Sequence, residues 1–189
     1  RFPRRMFRDS MGDMEKPVRK KPFGANGASA AKKKNGTSWG GVASWYDSHL
    51  EQNLDTYQKA VILPNLLRVL NIKKGEKLLD LASGQGFFSR EFAKAGAQVT
   101  GAEISPELVA LAKERSSVIS NVSYVVASAD KLLFAKDENF DVVVCVLALQ
   151  NMENISGVVA EAKRVLVKGG RLVLVVNHPA FRVPRRSNW

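Results

Sequence analysis

Lys77-Leu78-Leu79-Asp80-Leu81-Ala82-Ser83-Gly84-Gln85-Gly86-Phe87-Phe88-Ser89 is the stretch whose reading decides the fold. An apolar run of strand length comes first, then a glycine turn, then the start of a helix predicted over Phe87 to Ala95. Asp80 sits at the strand end. Gly84 and Gly86 let the backbone turn tightly and approach a ligand with no Cβ in the way. The amides of the first helical turn point at whatever lies in that turn. Further on, Gln98 to Ala102 reads as a second strand ending in Glu103. An acid about 20 residues on, at the end of the second strand of a βαβ unit, is placed to bind the hydroxyls of a ribose.

Two kinds of nucleotide ligand suit such a unit. A dinucleotide fingerprint requires G-x-G-x-x-G, and Ser89 stands where the third glycine belongs. Asp80 beside the turn would also repel a pyrophosphate. A cationic ligand with an amino acid end would instead favour it, and S-adenosylmethionine is such a ligand. The order acid, Gly-x-Gly, helix, strand, acid resembles the first two motifs of the class I S-adenosylmethionine-dependent methyltransferases. Ala82 takes the place of that family's first glycine.

Composition places the charge away from this unit. The 189 residues carry a net +11, and 45% are hydrophobic, as in an ordinary soluble domain. Residues 1–38 hold eleven Lys/Arg against three Asp/Glu, and residues 182–189 add three arginines. The span between them has no net charge, so the high pI says nothing about the central domain gripping nucleic acid. Residues 1–38 show no helical or strand period and are predicted to be a disordered basic tail, either a solvated extension or an electrostatic arm for RNA. Cys145 lies alone in an apolar run, which fits a reducing cytoplasm with no disulfide framework. No apolar segment reaches the ~20 residues of a membrane span.

From Trp39 onward the composition is that of a folded domain, assigned to residues 39–181, with residues 182–189 a basic stub. Val42 to Leu50 has helical spacing, and a second helix is predicted over Asp55 to Leu70, with Pro64 starting or kinking its second half. Trp45-Tyr46-Asp47 resembles a Tyr-Asp pair of the family, which implies that Tyr46 leans over the methionine moiety; packing on the sheet is the alternative. Ser105-Pro106-Glu107 opens a helix that runs to about Ser116, and Val122 to Val126 is the third strand. Ile104 could offer an apolar side chain to an adenine face.

The segment Ala127-Ser128-Ala129-Asp130 resembles the family's third motif, in which an Asp and the next amide read the adenine edge. Ser128 takes the Asp position, Ala129 supplies the amide, and Asp130 falls one place late, so either Ser128 or Asp130 makes that contact. Phe140 to Leu149 is continuously apolar and marks a central strand buried on both faces. Leu147, near its end, is grouped with the cofactor-binding residues. Gln150 and Asn151 follow and face the acceptor, able to orient it but not to take its proton. Asn154 to Val167 is a helix closed by Lys168-Gly169-Gly170, and Arg171 to Val176 is the fifth strand. His178 beyond it is either a general base or a loop histidine held beside Pro179.

These elements give a doubly wound, Rossmann-like α/β fold, a mostly parallel sheet of order 3-2-1-4-5 with helices on both faces. Complete family members add a sixth and seventh strand, which nothing after Phe181 can form, so the chain is expected to be truncated with the fifth strand as an exposed edge. The resemblance implies methyl transfer from S-adenosylmethionine to a small-molecule acceptor. It assigns Asp80, Gly84 and Gly86 to the methionine part and Glu103 to the ribose, with Ala82 also among the cofactor-binding residues. Acceptors among RNA or proteins, a nicotinamide oxidoreductase, and a nucleic-acid-binding scaffold are the rival readings.

Overall fold

The computed structural model describes residues 56–177. Tyr46, His178 and the basic stretches at both ends lie outside the described residues. Five parallel strands, β1 (Lys77–Leu81), β2 (Gln98–Glu103), β3 (Val122–Val126), β4 (Phe140–Val146) and β5 (Leu166–Val175), form one sheet of order β3-β2-β1-β4-β5. The helices are α1 (Leu63–Leu70), α2 (Phe87–Lys94), α3 (Pro106–Arg115) and α4 (Ile155–Val165). This is the doubly wound arrangement that the sequence predicts.

β1 is central because it has no face for water. Leu78, Leu79 and Leu81 are fully buried, and their alternation divides them between two cores. Leu79 and Leu81 join Val143 and Cys145 of β4 and pack under Val158, Ala162 and Val165 of α4. Leu78 joins Val142 and Val144 and packs under Leu66 and Leu70 of α1 and Phe92 of α2. Burying an aliphatic side chain of this size contributes about 2 kcal/mol.

The helix starts follow local chemistry. Ser105 caps α3, its Oγ accepting from the Leu108 amide at 3.3 Å, with Pro106 in the first turn. Asn154 caps α4, its Oδ1 accepting from the Gly157 amide at 3.0 Å. Gly86 opens α2 from a left-handed conformation at φ 82. Pro64 lies in the first turn of α1, after a π-helical turn at Gln58–Ile62. A proline has no N–H to continue the ladder, so the wider turn is confined to its N-terminal side.

Two boundaries differ from expectation. β4 ends at Val146, because Leu147 takes a left-handed φ of 53 and turns the chain into a short 3-10 helix at Leu149–Asn151. β5 begins at Leu166, directly after α4, instead of at Arg171. Phe140 pairs with Leu166 and Val142 with Arg171, so the intervening residues bulge out of the ladder. Lys168-Gly169-Gly170 therefore forms a bulge and does not end the helix. Gly169 has φ 78, and a Cβ on Gly170 would meet the Leu166 side chain at 2.9 Å.

Candidate functional site

The carboxyl ends of β1, β2 and β4 meet where the sheet order reverses, the place where open α/β sheets take their ligands. Asp80 is only 2% exposed there, one residue from the end of β1. Ser89 Oγ donates to its Oδ2 at 2.6 Å. Burial pushes the Asp80 carboxyl up to about 7, against the Ser89 hydrogen bond, with the nearby Glu103 charge adding to the rise. Ser89, which breaks the dinucleotide pattern in sequence, is thus the hydroxyl that holds the acid of β1.

Glu103 ends β2 and is also buried. Its Oε2 accepts from the Gly84 amide at 3.1 Å and its Oε1 from the Ser105 amide at 2.9 Å. One carboxylate therefore ties the glycine turn of the first βα loop to the start of α3. Three alternate positions show why this loop is special. Ala82, Gly84 and Gly86 all have positive φ, at 55, 57 and 82. The Ser83 amide donates to the Ala102 carbonyl at 3.2 Å, which stitches the turn to β2.

The two glycines serve different purposes. A Cβ on Gly84 would meet nothing within 4 Å, so the space beside it is open. A Cβ on Gly86 would overlap the Tyr124 hydroxyl, and one on Gly101 would come within 2.5 Å of the Tyr124 ring and 2.8 Å of Ser83 Oγ. Gly84 leaves room for a ligand, whereas Gly86 and Gly101 make room for a tyrosine of β3. Gly101 and Tyr124 were not among the expected site residues. The smallest side chain in the middle of a buried strand was the signal that could have found them.

Ile104 follows Glu103 with its side chain 49% exposed. In the loop after β3, Ser128 Oγ donates to Asp130 Oδ1 at 2.5 Å, and Asn154 Nδ2 donates to Asp130 Oδ2 at 3.0 Å. These two hydrogen bonds, Ser128 first, hold the Asp130 carboxyl below its ordinary range. Asp130 thereby braces Ser128 and Ala129 against the start of α4. Leu147 is half-buried at the end of β4, and its amide donates to the Val175 carbonyl at 2.8 Å. Gln150 and Asn151 are exposed in the 3-10 helix, with Gln150 Nε2 donating back to the Leu147 carbonyl at 2.8 Å.

Two carboxylates crowded beside an open glycine turn suit a ligand that brings positive charge and hydroxyls. The residues present therefore fit S-adenosylmethionine, with its ammonium, sulfonium and ribose, and do not suit a pyrophosphate. Among the described residues, no helix is long and apolar enough to cross a membrane.

Comparison with known proteins agrees with this geometry. A methyltransferase domain family matches residues 79–174, about half of the chain. The demethylmenaquinone methyltransferase of Tropheryma whipplei (strain Twist) is 37% identical over 119 residues, covering 63% of this chain and 47% of that protein. The ubiquinone/menaquinone biosynthesis C-methyltransferase of Haemophilus ducreyi is 37% identical over 117 residues, covering 58% and 45%. The chain spans about half the length of these curated relatives. Among solved structures, the PH0226 protein from Pyrococcus horikoshii superposes with a TM-score of 0.60 at 31% identity, covering 69% of this chain and 64% of that one.

Proposed function

We propose, since the chain belongs to the methyltransferase domain family of class I S-adenosylmethionine-dependent enzymes, that it transfers a methyl group from that cofactor to a small, electron-rich ring, the reduced (quinol) form of a quinone. The observation that carries this reading is the pair of carboxylates, Asp80 and Glu103, at adjacent strand ends beside the open Gly84 turn. The quinone acceptor is supported by the names of the two curated relatives.

When bound, the cofactor supplies an electrophilic methyl on a sulfonium, a good leaving group. The chain's own residues then contribute binding and orientation more than chemistry. Asp80, Ala82, Gly84 and Gly86 would hold the methionine part and Glu103 the ribose hydroxyls. Ile104, Ser128, Ala129 and Asp130 would line the adenine, and Leu147 the floor. Gln150 and Asn151 are amides, so they can orient an acceptor but take no proton from it. That favours an acceptor whose own ring is nucleophilic. Tyr46 and His178 keep their expected roles, over the methionine and as a base, as part of this proposal.

Calorimetric titration of the full chain with S-adenosylmethionine, S-adenosylhomocysteine and NAD tests the cofactor, with Glu103→Gln as the variant. Binding of the first two, weakened about tenfold in the variant, is the expected result. NAD binding alone would overturn the reading. Methyl transfer to a short-chain naphthoquinol then tests the acceptor class.

A further inference from the structure

Behind the glycine turn runs a row of buried polar groups that the proposed transfer does not itself require. Ser89 of α2 is fully buried and donates to Asp80 of β1. Tyr124 of β3 is 7% exposed, and its hydroxyl lies 3.4 Å from the Gly86 carbonyl oxygen. That hydroxyl is also hydrogen-bonded at 2.9 Å to Ser116 Oγ, at the C-terminal end of α3. The Tyr124 ring occupies the space that a side chain on Gly86 or Gly101 would need. Phenylalanine would fill this space equally well, so packing alone does not account for the hydroxyl.

We propose that Ser89 and Tyr124 are positioning residues of the cofactor site: Ser89 fixes the Asp80 carboxylate in one orientation, and Tyr124, moored by Ser116, supports the Gly86 end of the turn from behind. The proposal rests on the cofactor reading above and deepens it. Neither residue lies within 4 Å of a Cβ placed on Gly84, and each acts through a group of the strand and turn that carry Gly84, Ser89 through Asp80 and Tyr124 through Gly86. The groups that act on Asp80 are of both kinds. Glu103 of β2 opposes its charge, as burial does, while the Ser89 hydroxyl favours it. Cys145 of β4 and Tyr124 are neutral at working pH, since burial raises the thiol to about 11 and raises the phenol as well. Arg90 of α2 acts on the same Tyr124 hydroxyl, and its guanidinium is bonded to the Gln85 carbonyl at 2.9 Å. Loss of the Ser89 hydroxyl therefore removes the direct hydrogen-bond support of the charged form of Asp80, whereas the Tyr124 hydroxyl, which also interacts with Ser89, reaches that carboxyl only at one remove.

The test is S-adenosylhomocysteine binding to the full chain, measured by calorimetry between pH 5.5 and 8.5, with circular dichroism melts as the check on folding. Wild type should bind more tightly as pH rises through neutrality, because the ligand's ammonium needs Asp80 charged. Ser89→Ala should bind about tenfold more weakly at pH 7, with its midpoint moved up by about one pH unit. Ser89→Thr should restore the midpoint. Tyr124→Phe should lose about fivefold in affinity with the midpoint moved clearly less than in Ser89→Ala. An Ser89→Ala affinity loss that is uniform across pH, or no loss at all, overturns the role of Ser89. Unchanged binding in Tyr124→Phe overturns the role of Tyr124, and that variant decides the matter if Ser89→Ala does not fold. A folded wild type that binds no S-adenosylhomocysteine overturns the cofactor reading itself and this proposal with it.

Discussion

Ala82 stands at φ 55, in the left-handed region where an L side chain costs about 1 kcal/mol. Its place in the turn, one residue past β1, explains why a glycine is the family's usual choice there. Ala82→Gly should raise stability in a urea melt by up to about 1 kcal/mol, part of the gain being offset by a more flexible unfolded chain. The neighbouring glycines should both lose stability on substitution, but to different extents and with different effects on binding. Gly86→Ala adds the Tyr124 overlap to the strain and should cost about 3 kcal/mol. Gly84→Ala, with open space around it, should cost only about 1 kcal/mol yet weaken S-adenosylhomocysteine binding more than tenfold. Comparing melts with calorimetry for the two variants separates space kept for the fold from space kept for the ligand. Asp80 belongs to the same trade. Its buried charge opposes folding, so Asp80→Asn should stabilise the ligand-free protein by about 2 kcal/mol at pH 8 and abolish binding. A melt that falls instead would mean that the carboxylate is better solvated than its burial implies.

At the scale of elements, α4 and the loop after β3 form one unit. Asn154 caps α4 with its Oδ1 and reaches Asp130 with its Nδ2. Further along, Glu161 accepts from the Leu132 amide at 2.7 Å, while Arg164 donates to the Leu132 and Ala135 carbonyls and pairs with Asp137. The loop that carries Ser128 and Ala129 is thus clamped at both ends to one helix. Asn154→Ala should cost about 1–2 kcal/mol, as the loss of a helix cap does, and lower S-adenosylhomocysteine affinity several-fold by freeing Asp130. A melt shift with no change in affinity would detach this loop from the cofactor. Such ties explain what the sequence showed and what it hid. Leu78 to Leu81, Ser105-Pro106-Glu107 and the Phe140 run announce their elements by local pattern, so strand order and helix starts were legible. The roles of Ser89, Tyr124 and Asn154 were not, because each depends on a partner from 8 to 38 residues away that only the fold brings near. β5 begins earlier than its local pattern predicts for the same reason. Its first residues belong to the sheet through pairing with Phe140, which no local period reports.

For the molecule as a whole, two groups pull stability in opposite directions along the pH axis. The Arg164 hydrogen bonds hold the Glu161 carboxyl down at about 2, below its ordinary 4.5. Its stabilisation is complete above about pH 4.5 and is lost as pH falls towards 2, because the unfolded chain takes up the proton first. Asp80 is the reverse case, an acid raised from 3.8 to about 7. Between these values the native state keeps a proton that the unfolded chain has released, so this contribution is largest below pH 4 and declines as pH rises to 7. The ligand-free protein should therefore keep only the Asp80 contribution at the acid extreme and only the Glu161 contribution at the alkaline one, and its melting temperature should peak near pH 4–5, where the two overlap. A ligand ammonium placed against Asp80 inverts the second slope, since it favours the charged carboxyl. The rise in melting temperature caused by saturating S-adenosylhomocysteine should accordingly be several degrees larger at pH 8 than at pH 5. Scanning fluorimetry at both pH values, with and without ligand, reads this directly. Equal shifts would mean that Asp80 keeps its proton when the ligand binds. The amino acid end of the cofactor would then be held by the backbone of the turn and not by the charge beneath it.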